Sequence, residues 1–400
     1  MTWSQVSARR LARAGLAGPV EDGGPAEVVA RMCGAHAQVM SAAEMSVALR
    51  LDGATRADVR EALWGERSLV KTHGPRGTLH LLPARDLPRW VAAMSSIPAG
   101  TSPFPEGVRM TAERTEQVVA AIREVLDGRT LTIDELSEAV VEATGPWAGD
   151  LVMPAFQTMW PRWRQAMALA AHRGAFVYGP VRGRKVTYTA PPVDLGPVTR
   201  QDGRATDERG TETRAADGQA TDGQGADGRA ALVRAYLRAY GPAAPEHFAQ
   251  WAGAPRGWAV AAFGLVELEE VRLEGRPAWV LAGDTGTPDE PPHGVRLLPY
   301  FDAYLVAGRP RELLYAGEAA RRALAGGQAG NYPVLLVDGQ VAGVWHQRRS
   351  GRRIEVTVES LAELTADRLS ALEGQVERIG GILEGTPRLT VGPVRVGAHA

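Results

Sequence analysis

Three times along this chain of 400 residues, a run of helical segments gives way to two short strands closed by a basic turn. Apolar residues recurring at i, i+3 and i+4 mark the helices, and period-two alternation marks the strands. The first copy predicts helices over 2–14, 26–34, 42–51 and 56–64, then strands over 69–73 and 78–82 flanking Gly74-Pro75-Arg76-Gly77. The second predicts helices over 112–126, 133–142 and 155–172, then strands over 175–178 and 186–189 around Arg182-Gly183-Arg184-Lys185. The third predicts helices over 231–240, 245–251 and 257–263, then strands over 266–273 and 278–281 across Gly275-Arg276. Helices followed by a hairpin with a basic tip describe a winged helix. Three in tandem describe a repeated module, with units expected at 1–110, 111–198 and 231–290.

After Pro299 the pattern turns to β. The runs 334–337 and 341–345 meet across Asp338-Gly339, a hairpin signal, and 354–358 alternates cleanly beyond Ser350-Gly351. A helix is predicted over 359–381 and a last strand over 388–396, so 291–400 should form a small β-sheet or barrel. The class is α+β. Residues 201–229 repeat Asp-Gly with Ala, Thr, Gln and Arg and hold no Val, Ile, Leu or aromatic residue, so 199–230 is expected to be a disordered linker.

Composition narrows the chemistry. The formal charge is −1, and 45 cationic residues include only two lysines, Lys71 and Lys185. Such an arginine bias suits phosphate recognition and equally follows from a GC-rich genome. The single cysteine, Cys33, excludes a disulfide framework. No apolar run of membrane-spanning length and no leader-like amino terminus occurs, so a cytoplasmic, nucleoid-associated protein without membrane contact is expected. A Walker phosphate loop, His-Glu-x-x-His, Cys-x-x-Cys and Gly-x-Ser-x-Gly are all missing. No metal and no cofactor is expected.

What remains is nucleic-acid binding with, at most, a metal-free hydrolytic site, and the segment Gly34-Ala35-His36-Ala37-Gln38 offers one. Gly34 reads as a helix cap, Ser41 with Glu44 as a capping box opening the next helix, and Met40 with Met45 as its staple. If 36–38 is extended, His36 and Gln38 point the same way and both reach one water, while Ala37 faces the protein. The same two residues could equally serve backbone groups in a connector. For DNA contacts the candidates are Lys71, His73, Arg76, Arg182, Arg184 and Lys185 in the wings and Arg348, Arg349, Arg352 and Arg353 in the C-terminal hairpin.

His36-Ala37-Gln38, Arg76-Gly77-Thr78-Leu79-His80-Leu81, Tyr240-Gly241-Pro242-Ala243, the block from Leu297 to Leu305 and the run from Pro333 to Gly339 together resemble the AlkZ-like bacterial DNA glycosylases. The resemblance implies three winged helices and a β-barrel in a C-shape around double-stranded DNA, acting as a monomer. It also implies excision of N7-alkylated purines, including bulky antibiotic-derived lesions, in base-excision repair or self-resistance. The family signature is Gln-apolar-Gln, whose amides hold the hydrolytic water. Gln38 matches the second position and His36 replaces the first. Two other readings stay open: a non-catalytic winged-helix regulator, and a small-molecule hydrolase or sequestering protein that uses the same pocket.

Overall fold

A computed structural model describes residues 1–98, 100, 104–155, 158–195 and 216–398. Its contacts group the chain into two compact units, each built from more than one stretch of sequence. One comprises 1–69, 78–83 and 233–400; the other comprises 70–77 and 84–232.

The first unit begins with the amino-terminal helix Trp3–Arg13, opened by a Thr2/Gln5 capping box. Its apolar stripe, Trp3, Val6 and Leu11, packs with Leu298, Tyr304, Val334, Leu336 and Val344 of the C-terminal region. That is why the two ends of the chain share one core. The C-terminal sheet has five strands in the order Val295–Leu298, Val334–Val337, Gln340–Ser350, Arg353–Ser360, Thr386–Val391. Its pairs are antiparallel except the last, which is parallel and needs the crossover helix Ala366–Ile382. The Asp338-Gly339 turn forms as predicted, with both residues at positive φ (49° and 78°). The helix expected from 359 begins instead at Ala366. Glu359 and Ser360 still belong to a strand, and the Thr365 hydroxyl caps the helix by accepting from the Arg368 N–H. In the same unit Phe248 gathers Tyr236, Trp251, Trp258 and Phe263 within 5.2–5.8 Å, and the strands Leu268–Leu273 and Arg276–Leu281 pair antiparallel as expected.

The second unit packs the helices Ala112–Val125 and Ile133–Thr144 over Trp163, Phe176 and Tyr188. Its strands Val177–Arg182, Lys185–Thr189 and Thr130–Thr132 form an antiparallel sheet. One helix expectation fails here. The α-helix expected over 155–172 is confined to Met167–His172: strands Leu151–Pro154 and Met159–Pro161 pair, and a 3₁₀ segment Arg162–Ala166 follows. Pro161 explains this, since a proline inside the helix removes a donor and clashes with the preceding turn.

The linker expectation is also corrected. Its part at 201–215 lies outside the described residues, but helix Ala216–Tyr240 begins fourteen residues before Ala230. Gly228 is buried where a Cβ would stand 2.7 Å from both the Ala92 Cβ and the Ala93 nitrogen, a close helix approach that only glycine allows. A segment without large apolar residues can still pack when its smallest residue is the contact. Among the described residues no helix is long and apolar enough to cross a membrane.

Candidate active site

The chain enters the site through a helix stop. Helix Pro25–Arg31 ends in a Schellman arrangement: the Gly34 N–H bonds to the Val29 carbonyl and the Cys33 N–H to the Ala30 carbonyl, with Cys33 and Gly34 both left-handed. The turned chain becomes the short strand Ala35–His36, pairing antiparallel with Leu79–Pro83, so that Ala35 faces Leu81 and His36 faces His80. The ladder continues one residue further, because the Ala37 N–H reaches the Leu79 carbonyl at 2.7 Å. Gln38 then contributes its side chain, whose Oε1 lies 3.4 Å from the Leu79 nitrogen. Ala35, His36 and Ala37 are all buried, and the chain becomes exposed at Gln38, just past the end of the strand. The strand itself ends at His36, and Gln38 lies in the bend that follows.

The next helix starts differently from expectation. It runs Met40–Ala48 with Val39 at its N-cap and no side-chain cap, so Ser41 is not a capping residue. Glu44 is drawn away from that role by arginines: it accepts from Arg60 Nε and Nη2 at 2.7 and 2.9 Å, with Arg56 beside it. A charge-assisted bidentate pair outcompetes a local capping bond.

Three side chains that the sequence did not single out complete the surroundings. The Phe301 ring stacks on the His36 imidazole, centroids 4.8 Å apart and 22° between planes. The His80 ring meets it edge-on at 5.0 Å and 63°, and His80 Nδ1 is bonded to the Thr78 carbonyl at 2.9 Å. His36 is thereby 8% exposed, while Gln38 is exposed. Asp302, adjacent to Phe301, is buried and grips Arg50 through two 2.9 Å contacts; the Ser46 hydroxyl donates to it at 2.6 Å. Arg50 also donates to the Ala14 and Ser46 carbonyls. Removing one partner from such a buried pair strands the other charge, a loss of about 3–5 kcal/mol. Only the Tyr300-Phe301-Asp302 block hinted at this, and nothing local in it announces a partner at position 36 or 50.

The expected DNA-contacting residues fall into different situations. Both ring nitrogens of His73 are engaged within the protein: its Nδ1 is bonded to the Gly77 carbonyl at 2.9 Å and its Nε2 to the Tyr178 hydroxyl at 3.0 Å. Burial pushes it down to about 4, so it is neutral at pH 7 and offers phosphate no charge. Lys71 lies over the Tyr178 ring at 5.6 Å. Arg182 is paired with Glu135 and Lys185 with Asp134, while Arg76 and Arg184 are exposed. In the C-terminal hairpin Arg348 pairs with Glu355 and Arg349 donates to the Leu383 and Gly351 carbonyls, with Arg352 and Arg353 exposed at the tip. Among the described residues no group of three or more His, Cys, Asp or Glu gathers as a metal site.

The model of the DNA glycosylase AlkZ-like family matches residues 29–382, a span that includes His36, Gln38, Arg50 and Asp302. The chain belongs to this family. It is similar to the interstrand DNA cross-link repair glycosylase of Streptomyces sahachiroi, with 31% identity over 360 residues, 86% of this chain and 87% of that relative. Its fold is similar to the solved structure of the Streptomyces sahachiroi DNA glycosylase AlkZ, with a TM-score of 0.76 and 28% identity, covering 98% of this chain and 100% of that one. The protein is thus a DNA glycosylase, a DNA-binding enzyme of DNA repair with an α+β fold. The regulator and small-molecule hydrolase readings are set aside.

Proposed function

We propose that this AlkZ-like glycosylase hydrolyses the N-glycosidic bond of N7-alkylated purines in double-stranded DNA, using a water held by His36 and Gln38. The observation that supports the reading is that both residues are tied to the same neighbouring strand, His36 opposite His80 and the Gln38 Oε1 3.4 Å from the Leu79 nitrogen. N7 alkylation makes the base a cation. When the C1′–N9 bond breaks, its electron pair neutralises that charge, so the leaving group needs no acid. The water oxygen bonds to C1′, neutral His36 takes the proton, and the Gln38 carbonyl orients the oxygen. An imidazolium would place a like charge beside the developing oxocarbenium, so the neutral ring is the active form. Two such bonds, one per strand, join an N7-linked interstrand cross-link, and the chemistry applies to each in turn. Bulky antibiotic-derived adducts share this leaving group, which fits a role in base-excision repair or self-resistance. The helix-and-hairpin segments serve as winged helices, with DNA held in a C-shaped monomer.

The test is single-turnover release of N7-methylguanine from a defined duplex, with spontaneous depurination subtracted, beside a duplex carrying one N7-linked cross-link. Excision of the methylated base and unhooking of the cross-link are expected, with unmodified guanine untouched. No release above background from either substrate would overturn the reading.

A further inference from the structure

Phe301 holds a left-handed backbone, φ 53°, which aromatic residues seldom adopt. Such a conformation persists only where its surroundings impose it. Three independent restraints do so. The Phe301 N–H bonds to the Gly330 carbonyl at 3.0 Å. Gly330 itself, at φ 96°, leaves the space in which the ring lies, since a Cβ there would stand 2.8 Å from the Phe301 ring. On the other side Asp302 is fixed by Arg50 and Ser46, and its Oδ1 accepts from the Tyr304 N–H at 3.0 Å. All this backbone restraint is delivered to one aromatic face, and that face lies against His36.

We propose that Phe301 is a positioning residue for His36, held by Asp302 and Gly330, and that it fixes the plane of the imidazole so that its lone pair meets the hydrolytic water. This rests on the reading of His36 as the water's acceptor. With Phe301 on its face and the His80 edge beside it, the ring has two of its directions filled. Stacking of rings favours this offset arrangement, and a misplaced acceptor slows a reaction that depends on alignment.

The experiment compares Phe301→Leu, Phe301→Tyr, Gly330→Ala and Asp302→Asn, in the wild-type and His36→Ala backgrounds, by single-turnover excision of N7-methylguanine. Histidine-labelled protein supplies a readout independent of turnover, the ring-CH resonances of His36, assigned by their loss in His36→Ala. In the wild type these resonances should lie upfield, shifted by the Phe301 ring current. Phe301→Leu should remove that shift and slow excision by about 10–100-fold, whereas Phe301→Tyr should preserve both. Gly330→Ala and Asp302→Asn should move both readouts in the same direction as Phe301→Leu. In the His36→Ala background Phe301→Leu should cause no further loss. Should Phe301→Leu fail to fold, Phe301→Met removes the ring with an unbranched filler and is read identically. Full activity in Phe301→Leu, or an equal loss with and without His36, would overturn the proposal. Wild-type excision by His36→Ala alone would instead remove the underlying reading of His36.

Discussion

Tyr240 donates its phenolic hydrogen to the Met32 carbonyl at 2.5 Å, joining positions 208 residues apart. Met32 caps the helix that leads through Cys33 and Gly34 to His36, so this bond satisfies a buried carbonyl at the entrance to the site. Burial pushes the Tyr240 phenol well above its ordinary range, which keeps the donor protonated. Tyr240→Phe should lower stability by about 1–3 kcal/mol, because it leaves that carbonyl unpaired. Denaturant unfolding of the two proteins checks this, and equal midpoints and slopes would contradict it.

Substitutions at the two site residues should separate. Gln38→Ala should retain the fold and DNA affinity while slowing base release by about 10²–10⁴-fold, or roughly 3–5 kcal/mol in barrier. His36→Gln restores the family signature and should stay active. Wild-type excision should fall at acidic pH, because a protonated His36 cannot accept the water's proton. His36→Gln should lack that acidic limb. Rates of the wild type and both variants across pH decide the matter, and a limb that survives in His36→Gln belongs to another group.

The buried His73 makes stability depend on pH. Its folded value, about 4, lies below the ordinary 6.5. Between the two the unfolded chain binds the extra proton, so stability is full above about 6.5 and declines as pH falls toward 4, by up to about 3 kcal/mol. His247, likewise pushed down to about 4 by burial, adds in the same direction. Thermal unfolding at pH 7 and pH 5 should show the loss, and His73→Gln should make it smaller. An unchanged pH dependence in that variant would exclude His73 as a source.

Gly228 and Gly223 sit in one helix and should respond oppositely to added volume. Gly228→Val forces a side chain into Ala92 and should destabilise by about 1–3 kcal/mol. Gly223, with nothing within 4 Å of its would-be Cβ, should gain up to about 1 kcal/mol on Gly223→Ala through helix propensity. Calorimetric melting of both variants is the check, and two equal shifts would refute the packing account.

DNA affinity should fall with salt in proportion to the phosphates neutralised. If Arg352 and Arg353 each meet a phosphate, the double alanine variant should make the log–log salt slope shallower by about 2. Arg348 is already matched by Glu355, so Arg348→Ala should change the slope less. Salt titrations of a fluorescent duplex measure all three proteins, and an identical slope in the double variant would remove the hairpin tip from the interface.

What the sequence determined by itself was local. The periodicity of Trp3–Arg13 and the Asp338-Gly339 turn depend on partners within a few residues, and each formed where expected. The helix stop at Gly34 that leads into His36 was legible for the same reason. Tertiary structure decided the rest. Ser41 does not cap its helix and Glu44 pairs with Arg60 instead, and burial pushes the His73 imidazole below its ordinary range. Phe301 reaches His36, and Asp302 reaches Arg50 across 252 residues, through bonds that no short window of sequence encodes. Local bonds compete only with solvent and near neighbours. Long-range charge pairs and ring stacks form only after the core has brought their partners together.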